Sequence, residues 1–428
     1  MANTAFIENA SGTENQAKPH VAVLFHRLGP YHHARLRAAG MKMRVTAIEF
    51  SNVDKMYEWD LLDGANGFNR VRLFSDVAVE NLPSRRVLER VKDVLNEVRP
   101  QVVAIAGWSD RCSLAALWWC TVMGIPTVVM SETTSWDFDR QWIKETLKRQ
   151  LLKLCATGLV GGRAHVEYLQ KLDLAPAKIF MGYDAVDNDY FSSRAREIKS
   201  QASLLRNQHG LPENFFLASA RFVPKKNLSR LIQAYADYRE LSLRGNNGDC
   251  PQQPWDLVLL GDGPLRKTIE KQIISLGLTG HVLMPGFKQY EELPIYYALS
   301  NVFVHASTTE QWGLVVNEAM ASGLPVLVSD RCGCASDLVL EGVTGFSFDP
   351  LDVKQLAQLM FKCSLNSTDL AAVGRAGEKR VADWGVERFA SGLKDAAEAA
   401  LTSPRPKPSW IHWLQIKLLL LHKERESK

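Results

Sequence analysis

The chain has 428 residues, enough for two domains with full cores, and its 46% apolar and 23% charged residues are those of an ordinary globular protein. The formal charge is +4, and residues 404–428 alone hold six Lys/Arg against two Asp/Glu, so the rest balances at zero and is not built to coat nucleic acid. Seven scattered cysteines argue for reduced thiols rather than a disulfide framework, and Cys332-Gly333-Cys334 lacks the second Cys/His pair of a zinc site.

Residues 1–18 are polar, without the apolar core of a signal peptide or anchor, and are expected to be disordered. No run of about 18 apolar residues occurs, so no bilayer span is expected. The segment "HVAVLF" reads as a strand, followed by a Gly29-Pro30 break and a helical pattern that begins near His32 and His33. "RVTAIEFS" repeats the strand signal, "RVLERVKDVLNEV" is an amphipathic helix, and "QVVAIAGW", "SLAALWWCTVMG" and "IPTVVMSE" follow as strand, helix and strand. "GLVGG", "RAHVEYLQKLD" and "KIFMGY" close the half. A charged helical connector over 193–214 leads to the same alternation in "NFFLASARF", "WDLVLLGDG", "HVLMPGF", "NVFVHAS", "LPVLVSD" and "TGFSFDP". Short apolar strands alternating with helices mean parallel βαβ units. The expected fold class is α/β, with two Rossmann-like doubly wound parallel-sheet domains, 19–192 and 215–385, facing across a cleft. Ligands of such sheets sit at the carboxyl ends of the strands. The insert over 244–254 reads as a loop.

The residues with chemistry in the second half follow its strands. Arg221 stands at a strand end and Lys226 near a helix start, which makes either an anion site or a pair of surface charges. The Gly-Asp-Gly-Pro turn at 261–264 either brings backbone close to a ligand or is only a tight turn. Gly286 and Phe287, after the next strand, could hold a flat base against backbone or form a plain loop. Gly313 opens a short helix, apolar nearly all round, that runs to Ser322 and carries Asn317 and Glu318, with Glu310 just before it. A carboxylate on a buried helix is costly unless something specific meets it.

Together these segments resemble the retaining glycosyltransferases of family 4, the group 1 glycosyltransferases, whose architecture is called GT-B. The family's pattern of Glu, any seven residues, Glu is met by Glu310 and Glu318, with Trp312-Gly313 between them, and its Arg-x4-Lys by Arg221 and Lys226. The Gly-x-Gly-Pro turn and "GVTGFSFDP" also fit, while the first half resembles the family mainly in layout, including "GYDAVDNDYF" at the junction. The resemblance implies transfer of a sugar from a nucleoside-diphosphate sugar to a hydroxyl acceptor (a glycan, lipid-linked sugar or small molecule), in polysaccharide or glycolipid synthesis. A sugar-nucleotide epimerase and a non-catalytic sugar-nucleotide binder are the alternatives on the same architecture. By the same resemblance Glu318 would accept from the ribose hydroxyls and Glu310 would face the donor sugar. Arg221 and Lys226 would grip the diphosphate with the amides of Gly313 and Leu314, and Gly29 would let backbone meet the donor from the first domain. No cofactor and no metal are expected, since no Asp-x-Asp stands in a convincing context and the two cations supply charge. Many relatives have a histidine where this chain has Glu132, which either contacts a sugar hydroxyl or acceptor amine or is an inert loop residue; Asp137 and Arg140 are weaker candidates in the same loop.

The segment over 386–402 resembles the family's closing helix, which crosses back onto the first domain. Beyond a proline-rich break, Trp410, Trp413 and Leu418–Leu421 are flanked by basic residues. Two readings stand: a helix docked on the first domain or a second subunit, and a peripheral membrane contact through 409–423, too short to span. The expected location is cytoplasmic, with the inner face of the cell membrane as the second option.

Overall fold

The computed structural model describes residues 18–53, 66–137, 140–244, 253–365 and 368–426. The expected disordered start and most of the 244–254 insert lie outside them. In the first half, strands β1 (His20–Phe25), β2 (Arg44–Ser51), β3 (Asn69–Phe74), β4 (Val102–Ala106), β5 (Thr127–Ser131), β6 (Thr157–Val160) and β7 (Ile179–Met181) form one parallel sheet in the order β3-β2-β1-β4-β5-β6-β7. Val21 of β1 sits between Val45 and Val102, its partners on either side. Six of these strands are the predicted ones. The seventh, β3, escapes the pattern because Asn69, Arg70 and Arg72 interrupt its apolar run; as an edge strand it buries only its last two residues.

Helices α1 (Pro30–Lys42), α2 (Ser84–Val98), α3 (Arg111–Met123), α4 (Trp142–Leu152) and α5 (Arg163–Lys171) alternate with these strands. The connecting stretch holds α6 (Asn188–Lys199) and α7 (Ala202–His209). The second half is a six-stranded parallel sheet of β8 (Phe215–Ser219), β9 (Asp256–Leu260), β10 (Val282–Gly286), β11 (Val302–His305), β12 (Val326–Ser329) and β13 (Gly345–Phe348), ordered β10-β9-β8-β11-β12-β13. Its helices are α8 (Leu228–Arg244), α9 (Arg266–Ser275), α10 (Leu293–Leu299), α11 (Leu314–Ala321), α12 (Ala335–Leu338), α13 (Val353–Ser364) and α14 (Leu370–Ala382), followed by α15 (Val386–Thr402) and α16 (Trp410–Glu426).

The strands read as unbroken apolar runs because helices cover both faces of each sheet, leaving one core above and one below. Helix α15 belongs to the first domain's packing: Phe389, Leu393 and Ala396 share a core with Val21 and Val45. Helix α6 packs on α10 and α11 of the second domain. The order of strands reverses beside β1 in the first sheet and beside β8 in the second, where crevices open at the carboxyl ends. Gly29 follows β1, Arg221 follows β8, and Glu310 follows β11, so all three stand at these crevices.

Candidate active site

Glu310 lies in the turn between β11 and α11, at the meeting point of three basic groups. Its Oε2 accepts from Lys226 Nζ and from Ser307 Oγ (3.3 Å) and stands 3.3 Å from His305 Nε2, while Lys225 Nζ is 4.0 Å from Oε1. Burial would push this carboxyl up, but the His305 hydrogen bond and the charges of Lys226, His305 and Lys225 outweigh it and hold Glu310 well below the usual carboxylate range. His305 moves the other way: burial would lower it, yet hydrogen bonds with Cys332 and Glu310 raise it. The two shifts agree on an ion pair in which Glu310 is fixed as a carboxylate.

Glu318 is fully buried on α11 and has two partners, Tyr31 OH at 2.7 Å from Oε1 and Tyr297 OH at 2.7 Å from Oε2. Burial pushes its carboxyl up to about 7, with the two phenol hydrogen bonds pulling the other way. The sequence leaves this carboxylate to be met by a hydroxyl-rich ligand; in the structure tyrosine hydroxyls meet it, one from each domain. Tyr31 reaches it from the first turn of α1 across the cleft, resting edge-on against Tyr290 (5.4 Å between ring centres), which stacks on Tyr190 (5.0 Å). The other polar residue of α11, Asn317, accepts from Trp312 Nε1 (2.9 Å) and is part of the core.

The remaining predicted residues divide. Gly313 caps α11 with φ +102°, and a Cβ there would lie 2.7 Å from Cys332 Sγ, so the thiol occupies the space a side chain would need. Leu314 is the first helical residue and is partly exposed toward the cleft end of β11. Arg221 is exposed in the loop after β8 and makes no side-chain hydrogen bond or ion pair with the described residues. The Gly-Asp-Gly-Pro turn braces that loop: Phe222 N donates to Asp262 O (2.8 Å), and a Cβ on Gly261 would sit 1.9 Å from Ala220 O. The tight-turn reading of these glycines is therefore the one their packing supports. Gly286 ends β10 at the sheet edge, where its carbonyl accepts from Gly261 N (3.0 Å), and Phe287 follows it. Gly29 is extended (φ −110°), with its N–H on His32 Nδ1 (3.2 Å), so His32 serves as a helix cap.

Glu132, just after β5, is hydrogen-bonded to Asp184. Burial raises both carboxyls, and for Asp184 the Glu132 charge adds to it. Two carboxyls this close do not readily ionise together. Arg35, whose Nη1 donates to Tyr183 O (2.6 Å), offsets the remaining charge, and the charge of Glu310 reaches the pair. Asp137 and Arg140 stiffen the same loop by accepting from Thr134 N (2.9 Å) and donating to Tyr168 OH (2.9 Å). Among the described residues no group of three or more His, Cys, Asp or Glu side chains is placed to hold a metal ion. The six described cysteines are buried and free.

Sequence reasoning missed His305, Tyr31, Tyr297 and Asp184. His305 ends the strand five residues before Glu310, and Tyr31 lies two after Gly29, so position hinted at both. Neither hint reveals a partner, because each contact is made by tertiary folding.

Residues 202–380 match the family model of glycosyl transferases group 1. That match makes residues 202–380, the second domain with its flanking helices, a group 1 glycosyltransferase segment. Over 232 residues the chain is 29% identical to the GDP-mannose-dependent alpha-(1-6)-phosphatidylinositol monomannoside mannosyltransferase of Mycolicibacterium smegmatis, covering 51% of the chain and 55% of that protein. It is 27% identical over 285 residues to the alpha-D-kanosaminyltransferase of Streptomyces kanamyceticus, covering 63% and 69% respectively. The chain thus spans about half the length of the first of these curated relatives. In fold, the chain superposes on Anabaena HepE (Alr3699) in complex with UDP with a TM-score of 0.67 at 20% identity, over 88% of this chain and 98% of that one. WaaG, a glycosyltransferase involved in lipopolysaccharide biosynthesis, gives 0.62 at 17% identity over 88% and 98%. The shared architecture is GT-B, two parallel-sheet α/β domains.

Proposed function

We propose that the protein transfers a sugar from a nucleoside-diphosphate sugar to a hydroxyl acceptor, with retention at the anomeric carbon and without a metal ion, in glycolipid or polysaccharide synthesis. The observation that carries this reading is Glu310, held as a carboxylate by Lys226, His305 and Lys225 at the carboxyl end of β11. Breaking the bond from the anomeric carbon to the diphosphate builds negative charge on the leaving phosphate. Arg221 and Lys226, on the adjoining loop, are the cations that meet it, and one preorganised donor of this kind contributes on the order of 3 kcal/mol. Glu310 then faces the sugar ring, where a fixed carboxylate orients hydroxyls and steadies oxocarbenium-like charge. Glu132, paired with Asp184, lies on the acceptor side within electrostatic reach of Glu310.

Named relatives act on lipid-bearing acceptors, such as phosphatidylinositol monomannoside, and the Streptomyces relative is a kanosaminyltransferase; these names support transfer over epimerisation. The test is a thermal-shift screen against UDP-, GDP- and ADP-sugars, followed by measurement of nucleoside diphosphate released with and without acceptor. Stabilisation by one donor, lost in Glu318→Ala and Arg221→Ala, is expected. Arg221→Ala should retain its fold and lose about a hundredfold in turnover. No shift with any donor would remove the basis for the transferase reading.

A further inference from the structure

Helix α16 is apolar on two opposite faces. One face buries Ile416 and Leu420 against the first domain, and Gln415 Nε2 donates to Leu147 O of α4 (2.7 Å). The opposite face turns Trp410, Leu414 and Leu418 outward at a spacing of four residues, one stripe of a helix. Beside it, α4 exposes Trp142, Ile143 and Leu147. Trp142 is 77% and Trp410 72% exposed, in a chain that buries Trp312 and Trp384. Single exposed apolar side chains need no explanation, but six large ones on two touching helices do.

Charge distinguishes what covers this face. Residues 140–153 carry five Lys/Arg against one acid, and residues 404–428 six against two, a combined net of +8. With +4 for the whole chain, everything else is net −4, so the apolar stripe sits in a strongly basic region. Lys417 is exposed between Leu414 and Leu418, where its stem can lie on the apolar surface while its ammonium reaches outward. The core of a protein–protein interface is depleted in lysine; tryptophan and leucine mixed with lysine and arginine suit the headgroup region of a bilayer. No described helix is long and apolar enough to cross a membrane, so this contact would be peripheral.

We propose that the α4–α16 face docks on the surface of a bilayer bearing anionic headgroups, and that the acceptor is one held in that bilayer. Docking reaches the reaction centre through one loop: Trp142 follows Glu132 by ten residues, and Trp136 Nε1 in between donates to Arg331 O of the second domain (3.2 Å). The acceptor side of the cleft is thereby set at the lipid surface. The acceptor clause rests on the transferase reading; the docking clause does not.

The test is co-sedimentation of the full chain with phosphatidylcholine vesicles, with and without phosphatidylglycerol. Binding to the anionic vesicles, weakened by high salt, is expected. The double variant Trp142→Ala/Trp410→Ala should lower the partition coefficient by about tenfold or more while melting at the wild-type temperature and keeping its donor-induced thermal shift. Absence of wild-type protein from both vesicle pellets would overturn the proposal. So would a lipid-free dimer that the double variant converts to monomer, since the face would then join two copies of the chain. Vesicle binding by a protein that shows no donor shift would leave docking standing and remove only the transferase reading.

Discussion

Replacing Tyr31 with phenylalanine separates a donor contact from a competitor for the donor's place. Its hydroxyl is 2.7 Å from Glu318 Oε1, and Glu318 is wholly buried, with Tyr297 on its other oxygen. With the carboxylate wholly buried and a phenol on each oxygen, a ribose diol is predicted to reach it in place of one phenol. Tyr297 stands on α10 of the same domain, whereas Tyr31 comes from the opposite domain, so Tyr31 is the phenol a domain movement would withdraw. A hydrogen bond to a charged group contributes about 1.5–3 kcal/mol, and 1.4 kcal/mol is tenfold in affinity. Removing the Tyr31 hydroxyl destabilises the free closed form by that amount and leaves the bound form unchanged. Nucleotide should then bind roughly ten- to a hundredfold tighter, while the ligand-free protein melts lower. The assay is calorimetric titration of nucleoside diphosphate at pH 8, above the point near 7 to which burial pushes Glu318, alongside Tyr297→Phe, expected to weaken binding. If Tyr31→Phe binds the nucleotide equally or more weakly with its fold intact, the phenol does not compete with ribose and the argument fails.

Glu318 also sets a pH dependence. Its carboxyl is raised from 4.5 to about 7 in the folded chain, so between those values the folded state binds the extra proton. Stability therefore falls as pH rises through this window, by roughly 3 kcal/mol from this group. Urea unfolding at pH 5 and pH 8 should show a smaller drop in Glu318→Gln than in wild type; equal drops would contradict the burial account. Glu310 acts in the opposite sense, its contribution being present above 4.5 and lost in acid, as its held-down carboxyl requires. Gly313→Ala should cost about 1–3 kcal/mol in thermal melts, because φ is +102° and the new Cβ meets Cys332 Sγ, and serine at Cys332 should recover little of the backbone part.

What the sequence alone determined was the scaffold and the addresses on it. Twelve of the thirteen strands are apolar runs between turn residues, a pattern that follows from helices covering both sheet faces; β3 escaped because an edge strand can carry Arg70 and Arg72. The spacing of Glu310 and Glu318 around Gly313, and of Arg221 and Lys226, placed them in loops and a helix that the fold puts at the crevice ends. Partnerships were decided by tertiary structure. Tyr31 and Glu318 stand in different domains, Glu132 meets Asp184 from another strand end, and His305 is brought onto Glu310 by the turn after its own strand. The same holds for the tail, whose composition allowed docking or lipid contact: packing Ile416 and Leu420 inward leaves Trp410 and Leu418 outward beside Trp142. A local pattern specifies the period and ends of an element, because those depend on neighbouring backbone. Which charge or hydroxyl meets a buried carboxylate depends on groups hundreds of residues away, and only the folded chain brings them together.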